Sequence, residues 1–258
     1  MIHPSAIISP DASVADDVEI GPFAIIDAGC SIGAGCKIGA QAWITGNSQL
    51  GKNNDIGYGA VVGALPQSIG FDPATASGVI IGDNNTLREY VTINRSIYAG
   101  KNTVIGNDNF LMSVSHVAHD CILGDHNILA NNVMLGGHIE MGNRIFLGGG
   151  GGFHQFVKIG SFAMVKGNAS ISQDVPPYAV ACRDNELASI NVVALRRAGF
   201  DAATRSEIKN LYKLLFRSGI RLSDAVTQAE ESEWSEAASA LIEAAKSPSA
   251  KGILRKMS

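Results

Sequence analysis

Residues 14–50 read VADDVEIGPFAIIDAGCSIGAGCKIGAQAWITGNSQL, and a large aliphatic residue returns at every sixth place: Val14, Ile20, Ile26, Ile32, Ile38, Ile44 and Leu50. An amphipathic helix repeats every 3.6 residues and a half-buried strand every two. A period of six fits neither. It suits a short strand and a tight turn, repeated as a solenoid around one internal stack of aliphatic side chains. The count extends in both directions. It begins at Ile2 and Ile8 and continues through Ile56 and Val62. It slips by one residue across 63–80 (GALPQSIGFDPATASGVI) and resumes at Ile81. From there to Ile171 every sixth residue is large and apolar except Ala99.

The fifth place of the hexad is mostly small, as at Ala6, Ala12, Ala24, Cys30, Cys36, Ala42, Cys121 and Ala163. Cys30, Cys36 and Cys121 are therefore expected as small interior fillers. With Cys182 they form no CxxC pair, so neither a zinc ribbon nor a disulfide is implied. The 63–80 break is expected to be a loop leaving the solenoid, and such loops on rigid scaffolds often carry function. The weak Ala99 marks a second, smaller excursion within 94–102.

The chain has 258 residues, of which 29 are Gly, 17% charged and 6% aromatic, with a net charge of −4. The acidic balance argues against nucleic acid as a partner. No run approaches the ~20 apolar residues that span a bilayer, so no stable membrane insertion is expected. The start, Met1-Ile2-His3-Pro4, lacks the features of a signal peptide, which makes the cytoplasm the expected location.

Pro176-Pro177 is read as the end of the repeat, giving a solenoid over 1–178 and a helical subdomain over 186–258 that caps it. Helices are expected over 186–198, 200–217 with Asp201 as N-cap, 223–230 and 233–246. Between 191 and 221 seven basic residues face two acidic ones. Arg205, Lys209, Lys213 and Arg217 recur four apart, a stripe on one helix face. It reads either as a solvated surface or as a dock for an acidic partner.

Five of the six histidines fall between 116 and 154. His119, His138 and His154 lie in hexads that start 18 residues apart, so they are expected along one side of successive coils, with His116 just before. Two chemistries suit such a cluster. Three neutral imidazoles can hold zinc, as in a trimeric zinc hydratase. Alternatively, one His oriented by a carboxylate serves as a general base.

The local sequences His116-Val-Ala-His119-Asp120, Leu135-Gly-Gly137-His138, Phe153-His154-Gln155-Phe156, Gln173-Asp-Val-Pro-Pro-Tyr178 and Asn191…Leu195-Arg196-Arg197 resemble the acyl-ACP:UDP-N-acetylglucosamine O-acyltransferase family, hexapeptide-repeat enzymes of lipid A biosynthesis. The resemblance implies a left-handed parallel β-helix with a C-terminal α-helical subdomain, assembled as a homotrimer. It implies transfer of a fatty acyl group, 3-hydroxylated in many members, from acyl carrier protein to the sugar 3-hydroxyl, with no cofactor beyond the carrier's phosphopantetheine. His119 would be the base, Asp120 its orienting carboxylate and Gly137 the oxyanion donor. His116, His138, His154, Gln155, Gln67, Asn191 and Arg197 would bind substrate. Gly167 would line the acyl-chain pocket, and Arg205, Lys209, Lys213 and Arg217 would dock the carrier protein. The chain departs from the family at Ser68, Gly70 and Val193, where charged residues are usual. The acceptor thus stands open between UDP-N-acetylglucosamine and another nucleotide-activated amino sugar, acylated on oxygen or nitrogen.

Overall fold

The computed structural model describes residues 1–255; the last three positions of the expected 186–258 subdomain lie outside the described residues. The hexads form a left-handed parallel β-helix of triangular section. Its first face runs from Ile7–Ile8 to Ser170–Ile171, its second from Ser13–Val14 to Lys158–Ile159, and its third from Glu19–Ile20 upward. Most strands are two residues long, and most pair with the strand 18 residues on, as Ile7 does with Ile25, the offset rising to 31 and 24 across the two excursions. One residue of each strand points in. Ile26, Ile44, Ile56, Leu87, Leu111 and Leu129 are sealed from solvent, and their outward neighbours are partly or fully exposed. All four cysteines are buried and free.

Both expected excursions leave from the same corner, between the first and second faces. Residues 65–77 separate Val61–Ala64 from Gly78–Ile81, and residues 95–101 separate Thr92–Asn94 from Asn102–Ile105. Ala99 is not a core position, because the next rung is carried by Ile105, paired with Ile81 24 residues earlier.

At the corner between the second and third faces, four buried carboxamides stack into a column. Asn54 Oδ1 accepts from the Asn85 N–H, Asn85 Oδ1 from Asn109, and Asn109 Oδ1 from Asn127, all at 2.8–2.9 Å. Each buried amide thereby gains the partner that water would otherwise supply.

The prolines do not end the repeat. Ala179–Cys182 still pairs in parallel with Met164–Val165, so the coil extends past 178. The first expected helix is also corrected. Glu186–Ile190 is a strand, folded back antiparallel on Ala179–Cys182 through a turn at Arg183–Asn185, both ends of which have φ near +50°. The helix begins only after Asn191, whose side chain accepts from the Ala194 N–H at 3.2 Å. It spans Val192–Arg197 (α1) and is followed by Ala202–Arg217 (α2), Leu222–Glu230 (α3) and Glu236–Lys246 (α4). Asp201 caps α2 through the Thr204 N–H at 2.7 Å, as read from the sequence. Ile208, Leu211 and Leu215 of α2 pack with Leu241 and Ile242 of α4, and the cluster merges with the end of the solenoid core. Among the described residues no helix is long and apolar enough to cross a membrane.

Candidate active site

The corner that ejects both loops also carries the histidines, and the coil period fixes who stacks on whom. Residues 119, 137 and 155 occupy one column of that corner; 120, 138 and 156 occupy the next. The three histidines lie along one side of successive coils, as expected, but not stacked on one another. His119, His138 and His154 share an edge but stand in three different columns, and each meets different neighbours.

Over His119 comes Gly137. A Cβ built on Gly137 would lie 2.6 Å from His119 Cε1 and 2.9 Å from Nε2, so the imidazole occupies the space a side chain would need. The Gly137 N–H makes no hydrogen bond among the described residues, as expected at the first corner of a tight turn. Beside His119, Asp120 sits in the left-handed region at φ 60°, which Asp tolerates better than most residues. Its Oδ2 is 2.8 Å from His119 Nδ1. An ionised carboxylate can only accept. The imidazole proton therefore stays on Nδ1, and the Nε2 lone pair is left free.

His138 stands over Asp120, with Nε2 4.0 Å from Oδ2. It stacks flat on Phe156 at 4.5 Å between ring centroids and meets His119 edge-on at 5.1 Å. Burial holds its imidazole below the usual range, against the pull of Asp120. His116, at the end of the first face, shares a 2.7 Å hydrogen bond with Thr92 Oγ1. Burial, with His119 close by, lowers its pKa as well. His154 is exposed, its Nδ1 3.1 Å from the Gln155 carbonyl. His119, Asp120 and His138 are the one group of potential metal-binding side chains that converges among the described residues. Among the described residues a three-imidazole centre is not formed, since His154 does not converge with this group and Asp120 Oδ2 is already held by His119.

An open cleft of about 460 Å³ brings together Gln67, His116, His119, Gly137, His154 and Gln155. His138 does not line it but backs it. Gln67 arrives on the first excursion, which Arg95 clamps. That buried guanidinium donates to the Pro73 carbonyl at 2.7 Å and lies 5.5 Å from the Phe71 ring centroid. Cys121, just inside the corner, donates to the Gly136 carbonyl at 3.2 Å, and burial pushes its thiol up to about 12. It is no nucleophile near neutral pH.

Asn191 and Arg197 are not in this cleft. They line a separate cavity of about 770 Å³ on the third face, together with Arg144, Lys166 and Val193. The Asn191 carboxamide is also committed, capping α1 and donating to the Phe162 carbonyl at 2.9 Å. Gly167 lies at a corner of the third face against Gly149, and lines neither cavity. The basic stripe divides in two. Arg205 donates to the Phe200 carbonyl, and Arg217 to the carbonyls of Leu187 and Ala188, so both serve the fold. Lys209 and Lys213 are exposed, without hydrogen bonds among the described residues, and border a small apolar hollow beside Ile190 and Tyr212. The residues that sequence reasoning missed are Ser96, Ile97 and Thr103, all of which touch Asp120. The weak Ala99 hexad was the only hint of them.

A family profile described as UDP N-acetylglucosamine O-acyltransferase, domain 2, matches residues 174–254, and the bacterial transferase hexapeptide profile matches 11–46 and 102–137. An acyl-[acyl-carrier-protein]–UDP-N-acetylglucosamine O-acyltransferase of Gloeothece citriformis is 43% identical over 72% of this chain and 66% of its own length. Its counterpart in Paracidovorax citrulli is 46% identical over 70% of each. The crystal structure of a UDP-N-acetylglucosamine acyltransferase from Bacteroides fragilis superposes with a TM-score of 0.94 at 38% identity, covering 99% of this chain and 100% of that one. That superposition covers solenoid and helical end together, and on the identity and coverage of these relatives the chain belongs to the acyl-[acyl-carrier-protein]–UDP-N-acetylglucosamine O-acyltransferase family.

Proposed function

We propose that the chain transfers a fatty acyl group from acyl carrier protein to the 3-hydroxyl of UDP-N-acetylglucosamine, with His119 as general base. The observation that carries this reading is the pair His119–Asp120 beneath Gly137. The carboxylate fixes the tautomer, Nε2 opens on the cleft, and a free backbone N–H stands one rung above.

In the reaction His119 Nε2 takes the hydroxyl proton as the sugar oxygen bonds to the thioester carbonyl carbon. The Gly137 N–H receives the oxyanion. As the intermediate collapses, the carbon–sulfur bond breaks and the phosphopantetheine sulfur leaves with the proton that His119 returns. The inert Cys121 supports direct transfer without an acyl-enzyme. His116, Gln67, His154 and Gln155 are placed to hold the acceptor, and His138 acts from behind by packing on both members of the pair.

Arg197 reaches the same chemistry only from a second copy, because it lines a cavity that shares no residue with the His119 cleft. A homotrimer with sites between subunits fits this division. Lys209 and Lys213 offer the acidic carrier protein two unpaired cations. With Ser68 and Gly70 in the excursion, the acceptor shell lacks two charges usual in the family, so acceptor choice is the first thing to measure.

The test is an acyl-transfer assay of several acyl carrier protein thioesters against a panel of UDP-sugars, with wild type and His119→Ala. Loss of about 10²–10⁴-fold in kcat with the fold retained is expected. Near-wild-type turnover by His119→Ala removes the base assignment.

A further inference from the structure

The second excursion, residues 95–101, lies one rung below His119 and Asp120, and it grips the carboxylate. Ser96 is wholly buried, and its hydroxyl donates to Asp120 Oδ1. The neighbouring Ile97 N–H donates to Oδ2 at 3.2 Å. The Ser96 hydroxyl oxygen in turn accepts from the Tyr98 N–H at 3.0 Å, and its own hydrogen has Asp120 Oδ1 as the near acceptor against the Tyr98 carbonyl at 3.4 Å. The serine main chain is tied to the root of the first excursion. Ser77 Oγ donates to its carbonyl at 2.6 Å, and its N–H donates to the Gly78 carbonyl at 3.3 Å. From the other end of the loop, Thr103 Oγ1 accepts from the Asp120 N–H at 2.8 Å.

This grip answers a problem the corner would otherwise have. Two imidazoles face Oδ2, His119 Nδ1 at 2.8 Å and His138 Nε2 at 4.0 Å. A carboxylate free to turn about its last torsion would divide its bonds between them. We infer that Ser96 is a positioning residue of the transfer reaction: by holding Oδ1 it fixes which oxygen faces His119, and so keeps Nε2 aimed into the cleft. The inference rests on His119 acting as the base.

The other titratable groups around the pair are His116 on the first face, His138 on the corner above, Tyr98 on the excursion against the His138 ring, and the Cys121 thiol inside the coil. Among the described residues none of them donates to Oδ1. Losing the Ser96 hydroxyl therefore leaves that oxygen uncompensated, and the negative charge it shared falls on His119. The protonated imidazole is stabilised, and the ring loses the anchor that orients it.

Two readouts separate this from a merely structural role. The first is the NMR titration of the His119 ring, which needs no turnover. In Ser96→Ala its midpoint rises by about 0.5–1 pH unit, while Ser96→Thr, which keeps a hydroxyl, stays close to wild type. Ser96→Gly removes the donor without adding bulk, and gives the same rise as Ser96→Ala. The second is the pH profile of kcat. Its acid limb moves up by the same interval and its plateau falls roughly ten-fold, with KM for both substrates within about two-fold. An unmoved His119 midpoint in Ser96→Ala and Ser96→Gly proteins that unfold like wild type overturns the proposal. A moved midpoint with an unmoved kcat profile overturns it by the other route, because it takes His119 out of the reaction.

Discussion

Substituting Gly137 by Ala tests the stacking of the corner with one methyl group. The Gly137 φ lies outside the left-handed region, so its backbone accepts an L side chain without strain. The added Cβ, however, would stand 2.6 Å from His119 Cε1, 2.9 Å from Nε2 and 3.1 Å from Nδ1, where ordinary contact begins at 3.4 Å. The ring must retreat by roughly 0.8 Å, which strains the 2.8 Å bond to Asp120 and turns Nε2 away from the acceptor. Misplacing a reacting group by about 1 Å costs about 10²-fold. The expected loss in kcat is therefore about 10–10²-fold, or about 1.4–2.7 kcal/mol in the barrier. Stability should change by less than about 1 kcal/mol, since the gain from restricting a glycine in the unfolded chain offsets the local crowding. The assay is single-turnover acyl transfer by Gly137→Ala, His119→Ala and the double variant. With the ring gone there is nothing to collide with, so Gly137→Ala should cost nothing further in the His119→Ala background. Wild-type kcat in the single variant, or an equal loss in both backgrounds, refutes the reasoning.

Three other outcomes are expected. Charge reversal at Lys209 and Lys213 raises KM for acyl carrier protein well above any change for the sugar nucleotide, whereas Arg205→Ala and Arg217→Ala lower the thermal midpoint instead, since their guanidinium groups hold backbone carbonyls. Arg95→Met unpins the loop that carries Gln67. The loss of one hydrogen bond and one cation–π contact, about 1–2 kcal/mol, appears as roughly a ten-fold higher KM for the acceptor with kcat nearly unchanged. Folding holds the pKa of His116 and His138 below the ordinary value near 6.5. The unfolded chain therefore takes up protons first as pH falls. Stability is intact above about 6.5 and declines toward the lowered folded values. Thermal midpoints between pH 7.5 and 5.5 should show this fall, and His116→Asn should flatten it.

Much of this architecture could be read from residue spacing, because a solenoid writes its core directly as a period. The interior column from Ile8 to Ile171, an excursion within 63–80 and the capping role of Asp201 needed no tertiary information. The errors came where contacts between distant parts decide. Glu186–Ile190 looked helical beside α1, but the exposed edge of the last rung offered it a partner for its backbone. Arg205 and Arg217 looked like surface charges, because nothing in a linear stripe shows that carbonyls of 187, 188 and 200 wait beside them. At the site, the period located the corner but not the column. Placing His138 over Asp120 rather than over His119 needs only the offset of 18, whereas the grip of Ser96 on Asp120 depends on the path of a loop that interrupts the repeat.

The buried asparagine column sits at a different corner from both excursions, and this has a consequence for how such a chain can diversify. Its members are 31, 24 and 18 residues apart in sequence, yet each bonds to the next rung in the same way. The extra length is absorbed entirely at the corner of the two excursions, while the asparagines keep the rungs in step like a timing belt. A loop exchanged for a longer or shorter one would leave His119 beneath Gly137, so new acceptors can be sampled by splicing within residues 65–76, with Ser77 kept to hold the Ser96 carbonyl.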